Sequence, residues 1–406
     1  MGFNTQLLHG TKAGDSATGA TLTPIYQSSA FYQPSAEQHE KLFHNQAQGY
    51  SYTRIENPTT QAFEDKMTRL ENGRATVACS SGMAAITNAL LNIVGAGDEI
   101  VASNSLYGGT IDLFHDLEAF DIRTHFVDGS SPASVENAIS DKTKALFAET
   151  IGNPKLDVTD IPAWAKLAHD HGIPLIVDNT VATPYLVRPI EHGADIVINS
   201  TSKYVNGNSS AISGTITDSG NFKWDPGRYP RMKPYLKFGP FAYTAKLRNG
   251  LFRNTGACLA PQNAFYNLIG METLGLRMER ACNNAMELAC YLDLLDGVTV
   301  NYPGLATSPW YDTATKLLGG HYGAILTLRV GSKEKAFAVM DTLKIPKIVS
   351  NIGDTKTLIV HPASTLSAHS TEQEKKDAAV YDDMIRVSVG IEDIEDLIHD
   401  FEQALS

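Results

Sequence analysis

A few groups in this chain are of the right type and spacing to do covalent chemistry together. Lys203 lies in the run Ser200-Thr201-Ser202-Lys203-Tyr204, with hydroxyls three and one residues before the amine. A primary amine can condense with a carbonyl while neighbouring hydroxyls bond a phosphate, which is the layout of a Schiff-base site. Ser80-Ser81-Gly82-Met83-Ala84-Ala85 offers a second anion site if a helix opens there. First-turn amides have no partner within the helix, and glycine lets a ligand approach the backbone. Asp178 closes the apolar run PLIV. A carboxylate in such surroundings needs a cation to stay ionised, and a protonated pyridine nitrogen would supply one. Amine, phosphate cup and ring-nitrogen partner are together what pyridoxal phosphate requires. Each also has a plain structural use: a strand-end lysine, a glycine opening a helix, a loop or N-cap aspartate.

These groups need a scaffold that brings distant residues together. Between residues 75 and 220, runs such as ATVAC, DEIVAS, RTHFV, ALFAET, PLIVDNT and DIVINS alternate with helical stretches such as GMAAITNALLNIV and IPAWAKLAHDHG. Apolar strands separated by helices predict an α/β fold with a mostly parallel central sheet covered on both faces, and functional loops at the strands' carboxyl ends. Residues 104–110, 149–154, 178–184 and 200–203 all fall at such ends. Residues 1–60 show little periodicity and read as an extended arm; Asn57-Pro58-Thr59 is a turn signal, with Thr60 a plausible N-cap of the helix that follows. Prolines and scattered charge in residues 224–238 mark a loop, residues 262 to about 295 read as one long helix, and the remainder alternates short strands with helices. The expected division is an arm over 1–60, a cofactor-binding α/β domain over 61–255 and a smaller α+β domain over 256–406.

Several segments, in order along nearly the whole chain, carry a resemblance. Ser80-Ser81-Gly82-Met83, Leu106-Tyr107-Gly108-Gly109-Thr110, Glu149-x-x-x-Asn153-Pro154, Asp178-Asn179-Thr180, Ser200-Thr201-Ser202-Lys203-Tyr204 and His361-Pro362-Ala363-Ser364 resemble the cysteine and methionine metabolism group of pyridoxal-phosphate enzymes. That group has the aspartate-aminotransferase-like fold, fold type I. The resemblance implies that Lys203 carries the cofactor as an imine and moves protons, that Asp178 faces the pyridine nitrogen, and that Tyr107 stacks on the ring and assists proton transfer. It implies a phosphate held by Gly82, Met83, Ser200 and Ser202, with Tyr52 and Arg54 reaching the cofactor of a neighbouring subunit in a homotetramer built from dimers. Asn153 would touch the ring hydroxyl, while Arg386, Asn351 and Tyr52 would bind substrate, the arginine forking its carboxylate. Glu149 is expected to support this set rather than act as acid or base.

Within the group, Leu106-Tyr107-Gly108-Gly109-Thr110, Ser350-Asn351-Ile352-Gly353-Asp354 and Lys246-Leu247-Arg248 look like the O-acetylhomoserine sulfhydrylases, where methionine γ-lyases usually place cysteine at the position of Gly109. The implied reaction is γ-replacement of O-acetylhomoserine by sulfide or a thiol, in sulfur amino-acid metabolism. The alternative is a γ-lyase acting on methionine, homocysteine or cystathionine. The chain departs from the group's common pattern at Gly207-Asn208-Ser209-Ser210 and at Leu366-Ser367-Ala368-His369.

Composition narrows the classes. With net charge −12 and 43% hydrophobic residues over 406, the chain reads as a globular protein of two domains, with no basic cluster to engage nucleic acid. No apolar run reaches membrane-span length, and the N-terminus lacks the pattern of an export signal, so a cytoplasmic protein is expected. Cys79, Cys258, Cys282 and Cys290 form no CxxC pair, so no metal or disulfide is expected. A sheet protein binding a dinucleotide without covalent chemistry would fit the strand–helix alternation, yet no GxGxxG follows the first strand.

Overall fold

The computed structural model describes residues 1–11, 14–44 and 46–406, so Lys12, Ala13 and Asn45 of the expected arm lie outside the described residues. The arm is less extended than its sequence suggests. It contains α1 (Phe3–His9) and α2 (Ala36–Phe43). Helix α1 docks on this chain's own core through Leu7, 1% exposed, and Phe3 meets Tyr185 edge to face at 5.2 Å. An i, i+4 apolar pair is too short a pattern to register as periodicity. Helix α2 forms because Ser35 accepts from the Gln38 amide at 3.1 Å, and it buries none of its residues. Helix α3 (Pro58–Leu70) starts earlier than expected: Asn57, not Thr60, is the N-cap, its side chain accepting from the Thr59 amide at 2.9 Å. Pro58 at the first helical position needs no amide partner and has its φ preset for the helix, so it fixes the start there.

The central sheet is built from β1 (Ala75–Cys79), β2 (Glu99–Ser103), β3 (Arg123–Val127), β4 (Thr143–Glu149), β5 (Leu175–Asp178), β6 (Ile196–Asn199) and β7 (Gly214–Asp218). Their order is β1-β7-β6-β5-β4-β2-β3, with β7 antiparallel to both neighbours and the remaining pairs parallel. Successive residues alternate between two cores: Leu146, Ala148 and Val177 enter one, Ala145, Phe147 and Ile176 the other. Burial on both faces is why these strands are continuously apolar. Helix α4 (Gly82–Leu91) follows β1, and α5 (Gly108–Glu118) lies between β2 and β3.

The second sheet consists of β8 (Thr299–Asn301), β9 (Ile325–Arg329), β10 (Lys347–Ile348), β11 (Leu358–Val360) and β12 (Met384–Ser388), in the order β10-β11-β12-β9-β8. Only β10 and β11 pair in parallel. The expected long helix is two, Pro261–Met271 and Leu274–Leu292. The break comes where the Arg277 guanidinium, further along the chain, takes the Gly270 carbonyl at 2.8 Å. One apolar cluster runs from Val177 and Leu186 beneath the first sheet to Leu326 and Ile385 of the second. That shared core holds β12 over the carboxyl ends of β4 and β5, which positions the site.

Candidate active site

The carboxyl ends of five strands, β1, β2, β4, β5 and β6, with β12 facing them, build a cavity of about 390 Å³ whose wall includes Gly82, Tyr107, Asp178, Lys203, Asn351 and Arg386. The phosphate side begins at α4. Ser81 caps it, accepting from the Ala84 amide at 3.0 Å, so the preceding amides of Gly82 and Met83 are left for a ligand. Gly82 is pressed against the residue that follows β6: a Cβ there would lie 2.6 Å from the Ser200 Cβ. Glycine is thus required by a close approach, and the Ser200 hydroxyl lies against the open helix end. Ser202 is differently placed. Its hydroxyl donates to the Ser213 carbonyl at 2.9 Å and accepts from the Ser213 amide at 2.8 Å, so it must turn from Ser213 to donate to a phosphate.

Asp178 and Glu149 end neighbouring parallel strands and are paired in register. Asp178 accepts from the Thr180 amide at 2.9 Å and its hydroxyl at 2.5 Å, and the same hydroxyl accepts from the Ser200 amide at 2.7 Å. Burial pushes the Asp178 carboxyl up to about 6 against the pull of those bonds. Burial, and then the charge of Asp178, raises Glu149 well above the usual carboxylate range, opposed by the Tyr107 amide that donates to it at 2.6 Å. Two buried carboxyls with no basic side chain among the described residues bonded to either favour a cation between the strand ends. A protonated pyridine nitrogen against Asp178 meets that need, so this side of the cavity fits pyridoxal phosphate.

The Lys203 amine donates to the Asn351 side-chain oxygen at 2.5 Å. Burial, then the positive charge of Arg386, lowers its pKa. Arg386 sits mid-strand on β12 and is 3% exposed, contrary to the usual surface place of an arginine. Its guanidinium donates to the Asn153 side-chain oxygen at 3.0 Å and the Asn351 carbonyl at 3.1 Å. Among the described residues its Nε is buried without a partner, and burial pushes the group down to about 10. A desolvated guanidinium with unused N–H groups facing a cavity is suited to a planar anion such as a carboxylate. Tyr107 stands at the rim, and a Cβ on Gly109 would come within 2.7 Å of its ring, so glycine leaves the ring its place.

Within one chain the fold does not bring Tyr52 and Arg54 to this cavity. They line a separate surface recess with Ser28 and Pro261, the guanidinium donating to the Arg253 carbonyl at 2.7 Å and lying 5.3 Å from the Tyr52 ring centroid. A larger, polar recess of about 890 Å³ lies beside α3, where Arg248 pairs with Glu64; it contains none of the amine-bearing set. Thr180 and Ser209 are site residues the motifs did not assign. An Asp-x-Thr turn could have flagged the first, whereas Ser209, at φ 57°, falls in the departure from the group's pattern at residues 207–210, which marks the place without giving the residue a role.

Comparison with known proteins places these observations. Residues 4–406 match the model of the family described as Cys/Met metabolism PLP-dependent enzyme. An O-acetyl-L-homoserine sulfhydrylase of Corynebacterium glutamicum is 43% identical, over 99% of this chain and 96% of its own. An L-methionine gamma-lyase of Fusobacterium nucleatum is 39% identical over 95% of this chain and 94% of its own. A solved Campylobacter jejuni structure, an O-acetylhomoserine (thiol)-lyase by assignment that carries N'-pyridoxyl-lysine-5'-monophosphate, superposes over 100% of both chains with TM-score 0.96 at 33% identity.

Proposed function

The chain belongs to the Cys/Met metabolism PLP-dependent enzyme family, and we propose that it replaces the acetoxy group on the γ-carbon of O-acetyl-L-homoserine with sulfide or a thiol. The products are acetate and homocysteine, or methionine where the thiol is methanethiol. The observation that carries the reading is the convergence of Lys203, Asp178 and Arg386 on one cavity, joined to 42 and 43% identity with O-acetyl-L-homoserine sulfhydrylases.

Bound pyridoxal phosphate supplies an electron sink conjugated to the substrate's α-carbon. The protein's residues supply the rest. Amides of Gly82 and Met83, with the Ser200 hydroxyl, hold the phosphate; Asp178 keeps the ring nitrogen protonated; Asn153 meets the ring hydroxyl. Arg386 grips the substrate carboxylate and so aims the α-hydrogen at Lys203. The amine's lowered pKa leaves more of it neutral near pH 7, which suits a base at that carbon. Tyr107, at the cavity rim, would assist proton transfer as acetate leaves. Tyr52 and Arg54, turned away from their own chain's cavity, complete the site of a second copy, which makes the working unit a dimer or a homotetramer of dimers in the cytoplasm.

Incubation of the purified protein with O-acetyl-L-homoserine and sulfide tests this, with homocysteine and acetate appearing in equal amounts. Ammonia and thiol released from methionine alone at a comparable rate would instead place the protein with the lyases.

A further inference from the structure

Behind Lys203 lies a line of side chains whose far members, Ser209 and Asp354, none of the roles above uses. Its amine donates to Asn351 Oδ1 at 2.5 Å, the Asn351 amide nitrogen donates to Ser209 Oγ at 3.1 Å, and Ser209 Oγ donates to Asp354 Oδ2 at 2.5 Å. The line has a fixed polarity. A protonated amine can only donate and a carboxylate can only accept, so each group between them has one consistent orientation.

Asp354 is built to be that terminus. Its side chain is 6% exposed, and its other oxygen, Oδ1, takes the Lys356 amide at 3.0 Å, the Lys356 ammonium at 3.2 Å and the Thr355 hydroxyl at 3.2 Å. Burial works against its ionisation, and the bonds from Ser209 and Lys356 override it, holding the carboxyl below its usual range. Ser209 is held at φ 57°, a conformation that costs a non-glycine residue free energy and persists where the surroundings impose it. The Asn351 backbone carbonyl is meanwhile tied to Arg386.

We propose that Asp354 and Ser209 are positioning residues that set which end of the Asn351 amide faces Lys203. With the line intact the carbonyl end faces the amine and favours its protonated form. With the line reversed the NH₂ end would face it, and only a neutral amine could accept that bond. Asn351 thus tunes how readily Lys203 gives up its proton after substrate has displaced it. The inference rests on the reading of Lys203 as the reacting amine, but not on which reaction follows.

Two substitutions reverse or cut the line without touching the cavity's other titratable groups, Arg386, Tyr107, Asp178 and Glu149. Asp354→Asn is isosteric. The Lys356 and Thr355 donors hold its carbonyl at the Oδ1 place, so its NH₂ faces Ser209, and the Ser209 hydroxyl, with no acceptor left on that side, is free to donate to Asn351. Ser209→Ala removes the link and leaves the Asp354 charge in place, which separates orientation from loss of charge. The experiment is pulse acetylation of the cofactor-free full chain across a pH series, with Lys203 labelling read by mass spectrometry. It reports the amine's apparent pKa whether or not the protein performs γ-replacement. Each variant should lower that pKa by about one to two units, the scale of losing one hydrogen bond to a charged group. In an Asn351→Ala background Ser209→Ala should have no further effect. An unchanged pKa in either variant, or a shift that survives Asn351→Ala, overturns the proposal. A merely structural loosening would not lower this pKa in step in both variants, and Asp354→Asn decides alone if Ser209→Ala fails to fold.

Discussion

Arg386→Lys should separate carboxylate recognition from every other duty of the site. The arginine is 3% exposed and already spends N–H groups on Asn153 at 3.0 Å and on the Asn351 carbonyl at 3.1 Å, while its Nε has no partner among the described residues. A guanidinium can keep both internal bonds and still present a fork of two N–H groups to a substrate carboxylate. Lysine donates from a single point, so serving Asn153 and Asn351 leaves it at most one bond for substrate. Losing one charge-assisted bond of roughly 1.5–3 kcal/mol predicts a fall in kcat/KM for O-acetylhomoserine of about 10- to 150-fold. The assay is steady-state release of acetate in the presence of sulfide, with the visible absorbance of the bound cofactor as the check on folding. An analogue whose carboxylate is replaced by a primary alcohol provides the control. Against it, wild type and Arg386→Lys should be equally poor. A variant within threefold of wild type on O-acetylhomoserine, or one that loses as much on the alcohol, would refute the reasoning.

Lys203→Ala should lower turnover by about a thousandfold or more, the scale of a positioned acid–base group; a variant keeping a tenth of the wild-type rate would remove Lys203 from the chemistry. Gly82→Ala places a Cβ 2.6 Å from the Ser200 Cβ and 3.1 Å from its Cα, so the α4 start must shift from its phosphate-binding place. Pyridoxal-phosphate affinity, followed by fluorescence, should weaken about tenfold. Glu71 is fully buried and pushed up to about 7 from 4.5, by burial chiefly, against the Asn199 and Asn179 amides that donate to it at 2.7 and 3.3 Å. A carboxyl with a raised folded-state pKa stabilises fully below its unfolded value near 4.5, and that stability is lost as pH climbs through about 7. Glu71→Gln should therefore gain about 2–3 kcal/mol over wild type between pH 5 and pH 8, measured by urea unfolding at both. An equal effect at the two pH values would show that Glu71 ionises freely in the fold.

What the sequence discloses is what local pattern encodes. The β5 and β6 runs, apolar on both faces, announced a covered parallel sheet, and their last residues announced Asp178 and the Ser200–Lys203 segment at its carboxyl edge. Asn57-Pro58 also carried its signal, since a capping side chain followed by proline marks a helix start, and Thr60 was simply the less constrained choice. Long-range geometry has no such signature. That Arg386 would be buried mid-strand depends on β12 being carried over the first sheet by a core shared between Val177 and Ile385. That Ser202 would be engaged by Ser213 depends on β7 folding back antiparallel beside β6. The split of the helix after Met271, where an arginine further along reaches back to the Gly270 carbonyl, leaves no mark in the periodicity.

The charges of the cavity explain why its halves must come from different sheets. The first sheet contributes buried acids, Asp178 and Glu149, each raised because burial disfavours its ionised form. The second contributes a buried cation, Arg386, held on Asn153 and Asn351 rather than on either acid. Were the arginine to pair directly with Asp178, the pair would satisfy itself, and neither member would be free for a ligand. Neutral asparagines keep the guanidinium placed without quenching it, and Thr180 does the same for Asp178 through its amide and hydroxyl. Among the described residues the cavity therefore retains an acid bonded to no basic side chain at one side and a guanidinium bonded to no carboxylate at the other, with Lys203 bonded to the neutral Asn351. An amino-acid substrate joined to a pyridine cofactor offers the complementary set, a cationic ring nitrogen and an anionic carboxylate, to a site whose fold keeps its own opposite charges apart.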